Sequence, residues 1–109
     1  MKVGHQLLLG ERQGYLQAVH ISKALVGNPL ISSTHKFIEA GDIHDVLAIN
    51  DTSFLLAAAL GLLRTTKDQI VKHSFKGQTA RALSPIVDSL YLVGFVNENV
   101  IRLWNEQTD

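Results

Sequence analysis

The chain has no cysteine and only two prolines among its 109 residues. Without cysteine there is no disulfide framework and no thiolate zinc site, which fits a reducing cytosol. Charge is sparse as well. Asp, Glu, Lys and Arg make up 18% of the residues, against about 25% in an average soluble domain. Long apolar runs are also missing. The longest, Phe54 to Leu63, is ten residues, where a membrane-spanning helix needs about twenty. Met1 to Leu9 holds only three consecutive leucines, short of the apolar core of a signal peptide. A soluble, cytoplasmic protein is the expectation.

The hydrophobic fraction is 46%. A chain of this length forms one domain (residues 1–109) and buries roughly two-thirds of its unfolded surface. So much apolar content with so little charge leaves surface that self-association would hide, and a homodimer is the commonest form.

The net charge of zero argues against a general cationic coat, but the positive charge is unevenly placed. Arg64, Lys67, Lys72, Lys76 and Arg81 are half of the ten Lys and Arg residues, and Asp68 is the one acid among them. A cationic cluster in a short polar segment between apolar stretches is a place for a polyanion to dock.

Catalytic and metal motifs are not found. No two of His5, His20, His35, His44 and His73 have the i, i+4 spacing of a helical ligand pair. No Gly-x-Ser-x-Gly occurs, and Gly10 and Gly14 are not followed by the Gly-Lys-Ser/Thr of a phosphate loop. The expectation is a protein that is not an enzyme, with no cofactor and no metal.

Along the chain no internal repeat stands out. Residues 5–27 can be drawn as a helix or as a hairpin turning at Gly10 to Gly14, with helix the reading adopted; Gly27-Asn28-Pro29 breaks the chain under both. Residues 33–40 and 42–49 fit short helices started by Ser33 and Asp42. Asn50 to Ser53 are capping residues before Phe54–Leu63, which reads as a buried central helix apolar all round. Thr66 and Gln69 have capping-box spacing for a further short helix, and Ser74 to Gly77 reads as a turn. Leu83, Val87 and Leu90 recur at helical spacing toward a stop at Gly94, although Ser84-Pro85 also fits a helix start. Phe95 to Trp104 suits a short hairpin around Asn97-Glu98-Asn99, with continued helix as the alternative.

This order of elements, closing in Leu90-Tyr91-Leu92-Val93-Gly94-Phe95-Val96, resembles the winged helix-turn-helix regulators of bacteria over residues 52–104. The resemblance implies a mainly α, winged-helix-like fold with a short C-terminal β-hairpin, and a dimer or partner region in residues 1–50. An all-α helical bundle is the alternative. It implies a duplex-DNA-binding dimer acting as a transcriptional regulator or as a plasmid or phage accessory factor. A recognition helix would present Gln78, Thr79 and Arg81 to base edges. Lys67, Lys72, His73 and Lys76 would face phosphates. The alternative function is a helical protein–protein interaction module, an adaptor or inhibitor, that binds no nucleic acid.

Overall fold

The computed structural model describes residues 2–3, 6–20, 31–50, 52–66, 68–97 and 99–108; within its strands, residues 2, 3, 6, 7, 18–20 and 31–33 are described by their backbone alone. His5, the Gly27-Asn28-Pro29 break, Lys67 and Glu98 lie outside the described residues.

The described chain is built of β-strands. The first sheet contains β1 (Lys2–Val3), β2 (Gln6–Gly10), β3 (Tyr15–His20) and β4 (Ile31–Lys36). The second contains β5 (Ile43–Ala48), β6 (Phe54–Ala58), β7 (Gly61–Thr65) and β8 (Ile70–Ser74). The third contains β9 (Ala80–Val87), β10 (Leu90–Phe95) and β11 (Val100–Asn105). Each sheet is an antiparallel meander whose strands pair in chain order. Among the described residues helical geometry is confined to single 3-10 turns at Arg12–Gly14 and Ile38–Ala40. The mainly α expectation, in both its winged-helix and bundle forms, is therefore overturned.

The reason lies in the ten-residue apolar run. It is two strands, β6 and β7, joined at Ala59-Leu60. Successive strand residues point to opposite faces, and all five residues of β6 are buried. Phe54, Leu56 and Ala58 enter one core with Leu8, Leu16, Phe37, Ile43 and Leu63. Leu55 and Ala57 enter a second with Leu62, Tyr91, Val93, Phe95 and Trp104. A strand covered on both faces needs apolar residues at every position, so it carries no alternation. Gly61 makes the hairpin possible. Its φ is +140°, and a Cβ there would lie 2.7 Å from His73 Nε2 and 2.8 Å from the Ser74 carbonyl oxygen.

The capping residues serve hairpins instead of helices. Asn50 Oδ1 accepts the backbone N–H groups of Thr52 and Ser53, at 2.9 Å each, in the turn between β5 and β6. Thr66 Oγ1 accepts the Gln69 N–H at 3.2 Å in the turn after β7. Short polar side chains make such bonds in turns as readily as at helix ends. The stretch expected to be the recognition helix is β9, a two-residue turn at Asp88-Ser89, and β10. Pro85 fits because β9 is an edge strand, where a missing N–H breaks no ladder bond on the open side. The polar turn after Phe95 does join two strands, but they are β10 and β11 of the third sheet, and no helix precedes them. Residues 6–20 form the hairpin of the two forms drawn from the sequence.

The middle sheet is packed between the other two. The sheets approach most closely around β5, which lies against β2 on one side and against β9 on the other. An Asp45 carboxylate fastens the second contact, Oδ2 accepting the Leu83 N–H at 2.9 Å while Oδ1 accepts the Val46 N–H at 3.0 Å.

The first three strands of the second sheet, β5 to β7, and the three of the third, β9 to β11, also share one layout, offset by 37 residues through β6 and β10. The Asp42 carbonyl accepts the Ala59 N–H at 2.8 Å, and the Thr79 carbonyl accepts the Val96 N–H at 3.0 Å. The ladder skips His44 in β5 and Arg81 in β9, so the two bulges also coincide. Phe54, Leu55 and Leu56 thus correspond to Tyr91, Leu92 and Val93. Few identities survive this offset, which is why the repeat is hidden in the sequence.

The correspondence predicts unequal costs for one substitution. Leu55→Ala opens a cavity in a closed core and should lower stability by about 2–5 kcal/mol. Leu92→Ala, at the equivalent but uncovered position, should cost under about 1 kcal/mol in the monomer. Urea unfolding of the two variants measures the difference.

Candidate interaction surface

The residues expected to hold DNA are not gathered on one element. Lys72 and His73 lie in β8 of the second sheet, Lys76 and Gln78 in the following loop, Thr79 just before β9, and Arg81 in β9 of the third sheet. Lys67 is outside the described residues. Several of these side chains hold the loops in place. The Thr79 hydroxyl donates to the Ala59 carbonyl at 2.9 Å, and the Thr79 N–H donates to Asn97 Oδ1 at 2.7 Å. His73 Nε2 lies 2.9 Å from the Leu60 carbonyl oxygen, so that nitrogen carries the proton. Arg64, the other cation of the cluster, sits 2.8 Å from Glu106 Oε2 at the seam between the second and third sheets. Lys76 and Arg81 are the exposed cations of the described set. No helix N-terminus aims backbone donors at a phosphate here, and the recognition-helix geometry is absent from the described residues.

The remaining described histidines are structural in their contacts. His44 Nδ1 meets the Ala80 carbonyl oxygen at 3.2 Å, and His35 packs edge-on against Phe37 with ring centroids 4.6 Å apart. Among the described residues no three His, Asp or Glu side chains converge as a metal-ligand set. Among them, too, no helix is long and apolar enough to cross a membrane.

A different surface stands out. In the third sheet Tyr91, Val93, Phe95 and Trp104 face the middle sheet and are buried. Alternation turns Leu92 and Gly94 to the opposite side. The ladder extends them into two rows across all three strands, apolar except at Ser84. Ala82, Gly94 and Ile101 are in register, as are Ser84, Leu92 and Leu103. Leu92 is 37% exposed, Leu103 62% and Ile101 72%. A shallow apolar depression follows these rows, lined by Ala82, Leu83, Ser84, Leu92, Gly94 and Ile101. Arg81 stands at its rim.

The 37-residue offset shows what this face corresponds to. Leu92 and Gly94 stand where Leu55 and Ala57 stand in the middle sheet. The turn before β11 is two residues longer than the turn before β7 (Phe95 pairs with Val100, Ala58 with Gly61). Ile101 and Leu103 therefore match Leu62 and Arg64. The middle-sheet residues are the ones that receive the third sheet, Leu55, Ala57 and Leu62 by wholly buried contact and Arg64 through Glu106. The third sheet repeats the receiving face and, among the described residues, has nothing on it. In the sequence this face is visible only as apolar residues at alternate positions of 92–94 and 101–103, and a helical reading absorbs them.

No protein-family model, curated protein or solved structure matches this chain.

Behind the surface, the Tyr91 hydroxyl is held above its ordinary value of 10.0, chiefly by burial and also by the Glu106 carboxylate, with Arg64 opposing. Below pH 10 the phenol is neutral in folded and unfolded chains alike. Above it the unfolded chain loses the proton while the folded chain keeps it, so stability falls as pH rises. The urea midpoint should drop as the pH rises past about 10, and Tyr91→Phe should flatten that drop.

Proposed function

We propose that this protein is a protein–protein interaction module, a β-sheet scaffold that presents the outer face of its third sheet to a protein surface. One observation carries the reading. Leu92 and Ile101 are exposed at positions whose counterparts in the same chain, Leu55 and Leu62, are fully covered by another sheet. Contiguous exposed apolar rows mark interaction sites in soluble proteins, and a face that repeats a known receiving face has the shape of one. The sparse charge read from the sequence is consistent with this, since Leu92, Ile101 and Leu103 stay exposed on this face.

Duplex DNA, the partner expected from the cationic cluster, has less support. Among the described residues of that cluster the exposed cations are Lys76 and Arg81, and they would neutralise about two phosphates, a logarithmic salt slope near −2.

The test places a photo-crosslinking amino acid at Leu103, and separately at Lys76, in the otherwise unaltered chain. In extract of cells that express the protein, irradiation should give a covalent adduct with a protein, whether another copy or a different chain, at position 103 and not at 76. Adducts at 76 that vanish on nuclease treatment, with none at 103, would replace this reading with the nucleic-acid one.

A further inference from the structure

We propose that β11 is a dimerisation strand: its free edge pairs antiparallel with β11 of a second copy about a twofold axis at Leu103, joining two third sheets into one. The inference rests on the interaction reading above, names a second copy as the partner and places the contact at the edge of the third sheet.

The bonds already made fix which way each residue of β11 turns its backbone. The Glu106 N–H donates to the Ser89 carbonyl at 2.9 Å, which extends the β10–β11 register by one hydrogen-bonded pair. At the other end of β10 the Val96 N–H donates to the Thr79 carbonyl at 3.0 Å, toward β9. Hydrogen-bonded and non-hydrogen-bonded pairs alternate along an antiparallel ladder. Both bonds therefore give the same phase: Val100, Arg102 and Trp104 bond to β10, and Ile101, Leu103 and Asn105 turn their N–H and C=O groups to the open side. Among the described residues no strand pairs there, whereas the equivalent edge of the middle sheet, that of β7, is paired with β8. The two edges of the third sheet are also unlike. The outer edge of β9 carries Pro85, and two bulges interrupt its pairing with β10, devices that keep edges from joining. β11 pairs with β10 in unbroken register, contains no proline, and leaves Ile101 and Leu103 exposed. A regular edge strand with exposed apolar side chains is a template for a further strand.

The strand is complementary to itself, which is why a second copy is the occupant. Antiparallel bonding sets an outward-turned residue opposite an outward-turned residue, and two self-pairing registers give the longest overlap of β11. One centres on Arg102 and sets it directly opposite the partner's Arg102, a destabilising like-charge pair. The other centres on Leu103. It sets Leu103 opposite the partner's Leu103, Ile101 opposite the partner's Asn105, and Arg102 opposite the partner's Trp104. Every outward N–H and C=O of Ile101, Leu103 and Asn105 then has a counterpart, and no like charges face each other between the strands. The twofold is the commonest symmetry of soluble oligomers because one patch serves both partners. The row Ser84, Leu92 and Leu103 continues across the axis into its own copy, so the outer faces of the two third sheets form one surface.

Sedimentation equilibrium of the unmodified chain should show the 12.0 kDa chain passing, as concentration rises, to a species of twice that mass and none larger. Leu103→Lys and Leu103→Glu each change an exposed side chain, and each should give a monomer with an unchanged far-UV circular dichroism spectrum. Mixed in equal amounts the two should recover the dimer, because the axis sets position 103 of one copy opposite position 103 of the other. The absence of native cysteine allows a direct test of register. Hydrogen-bonded antiparallel pairs have Cα atoms about 5.5 Å apart, within reach of a disulfide, so Leu103→Cys should oxidise to a linked dimer. Ile101→Cys should stay unlinked, since the two copies of that position lie about 13 Å apart along the strands. Leu92→Cys should stay unlinked as well, being one strand further from the axis on each side. A monomer at all concentrations overturns the proposal, as does a ladder of higher oligomers. Self-linking of Leu92→Cys as readily as Leu103→Cys also overturns it, in favour of two third sheets packed face to face. The interaction reading is judged separately: if the chain is monomeric but position 103 still captures another protein, the strand-paired dimer fails and the module stands.

Discussion

Everything in this structure depends on the middle sheet being buried on both faces. β6 sends Phe54, Leu56 and Ala58 to one core and Leu55 and Ala57 to the other, and it can do so because no polar residue interrupts it. At about 25 cal/mol per Å² of apolar surface removed from water, a strand with two covered faces contributes roughly twice what a half-exposed strand does. The two flanking sheets hold together by packing on it, since among the described residues neither core joins them to one another directly. The Asp45 carboxylate and the Arg64–Glu106 pair fix how the third sheet seats, but the apolar faces hold it there.

That constraint makes the molecule directional. A sheet that receives on one side and inserts on the other can be repeated, and the 37-residue offset between the second and third sheets shows that it has been. The bulges at His44 and Arg81 and the paired turn bonds at Asp42 and Thr79 recur because they set how the leading strand enters each sheet. The side chains filling the interface drift more freely. Hydrophobic and about the right size is sufficient for packing, so Phe54 and Tyr91, or Leu56 and Val93, fill equivalent places without being identical. The geometry of the unit survives where its letters do not.

The helical expectation fails at places with one physical cause. A ten-residue apolar run is equally compatible with a buried helix and with two strands covered on both faces, because neither shows a polar stripe. Asn50, Thr66 and Ser84-Pro85 have the chemistry of helix starts, but a short side chain or a fixed φ at the edge of an element serves hairpin turns and edge strands equally well. With Phe54–Leu63 read as helix, Leu83, Val87 and Leu90 fall into helical spacing as well, and the cationic cluster acquires a recognition helix. The turns are better marked. The break between β2 and β3 at Gly10 to Gly14, the turn at Ser74 to Gly77 and the polar turn before β11 are visible because Gly, Asn and Ser report local backbone geometry directly.

The sequence by itself determined the content: an apolar excess, little charge, no thiol chemistry, turn residues at set places, and half of the cations within residues 64–81. Tertiary structure alone decided which apolar residues are covered. Leu55 and Leu92 are the same residue type in equivalent strands, one wholly buried and one open. The difference is whether another sheet lies over them. Burial belongs to pairs of surfaces, and a linear pattern can state that a surface is apolar but not what faces it. The same holds for the cations. They are close in the chain, but the strands carry Lys72 and Arg81 into different sheets, because a meander separates in space what a helix would have kept on one face.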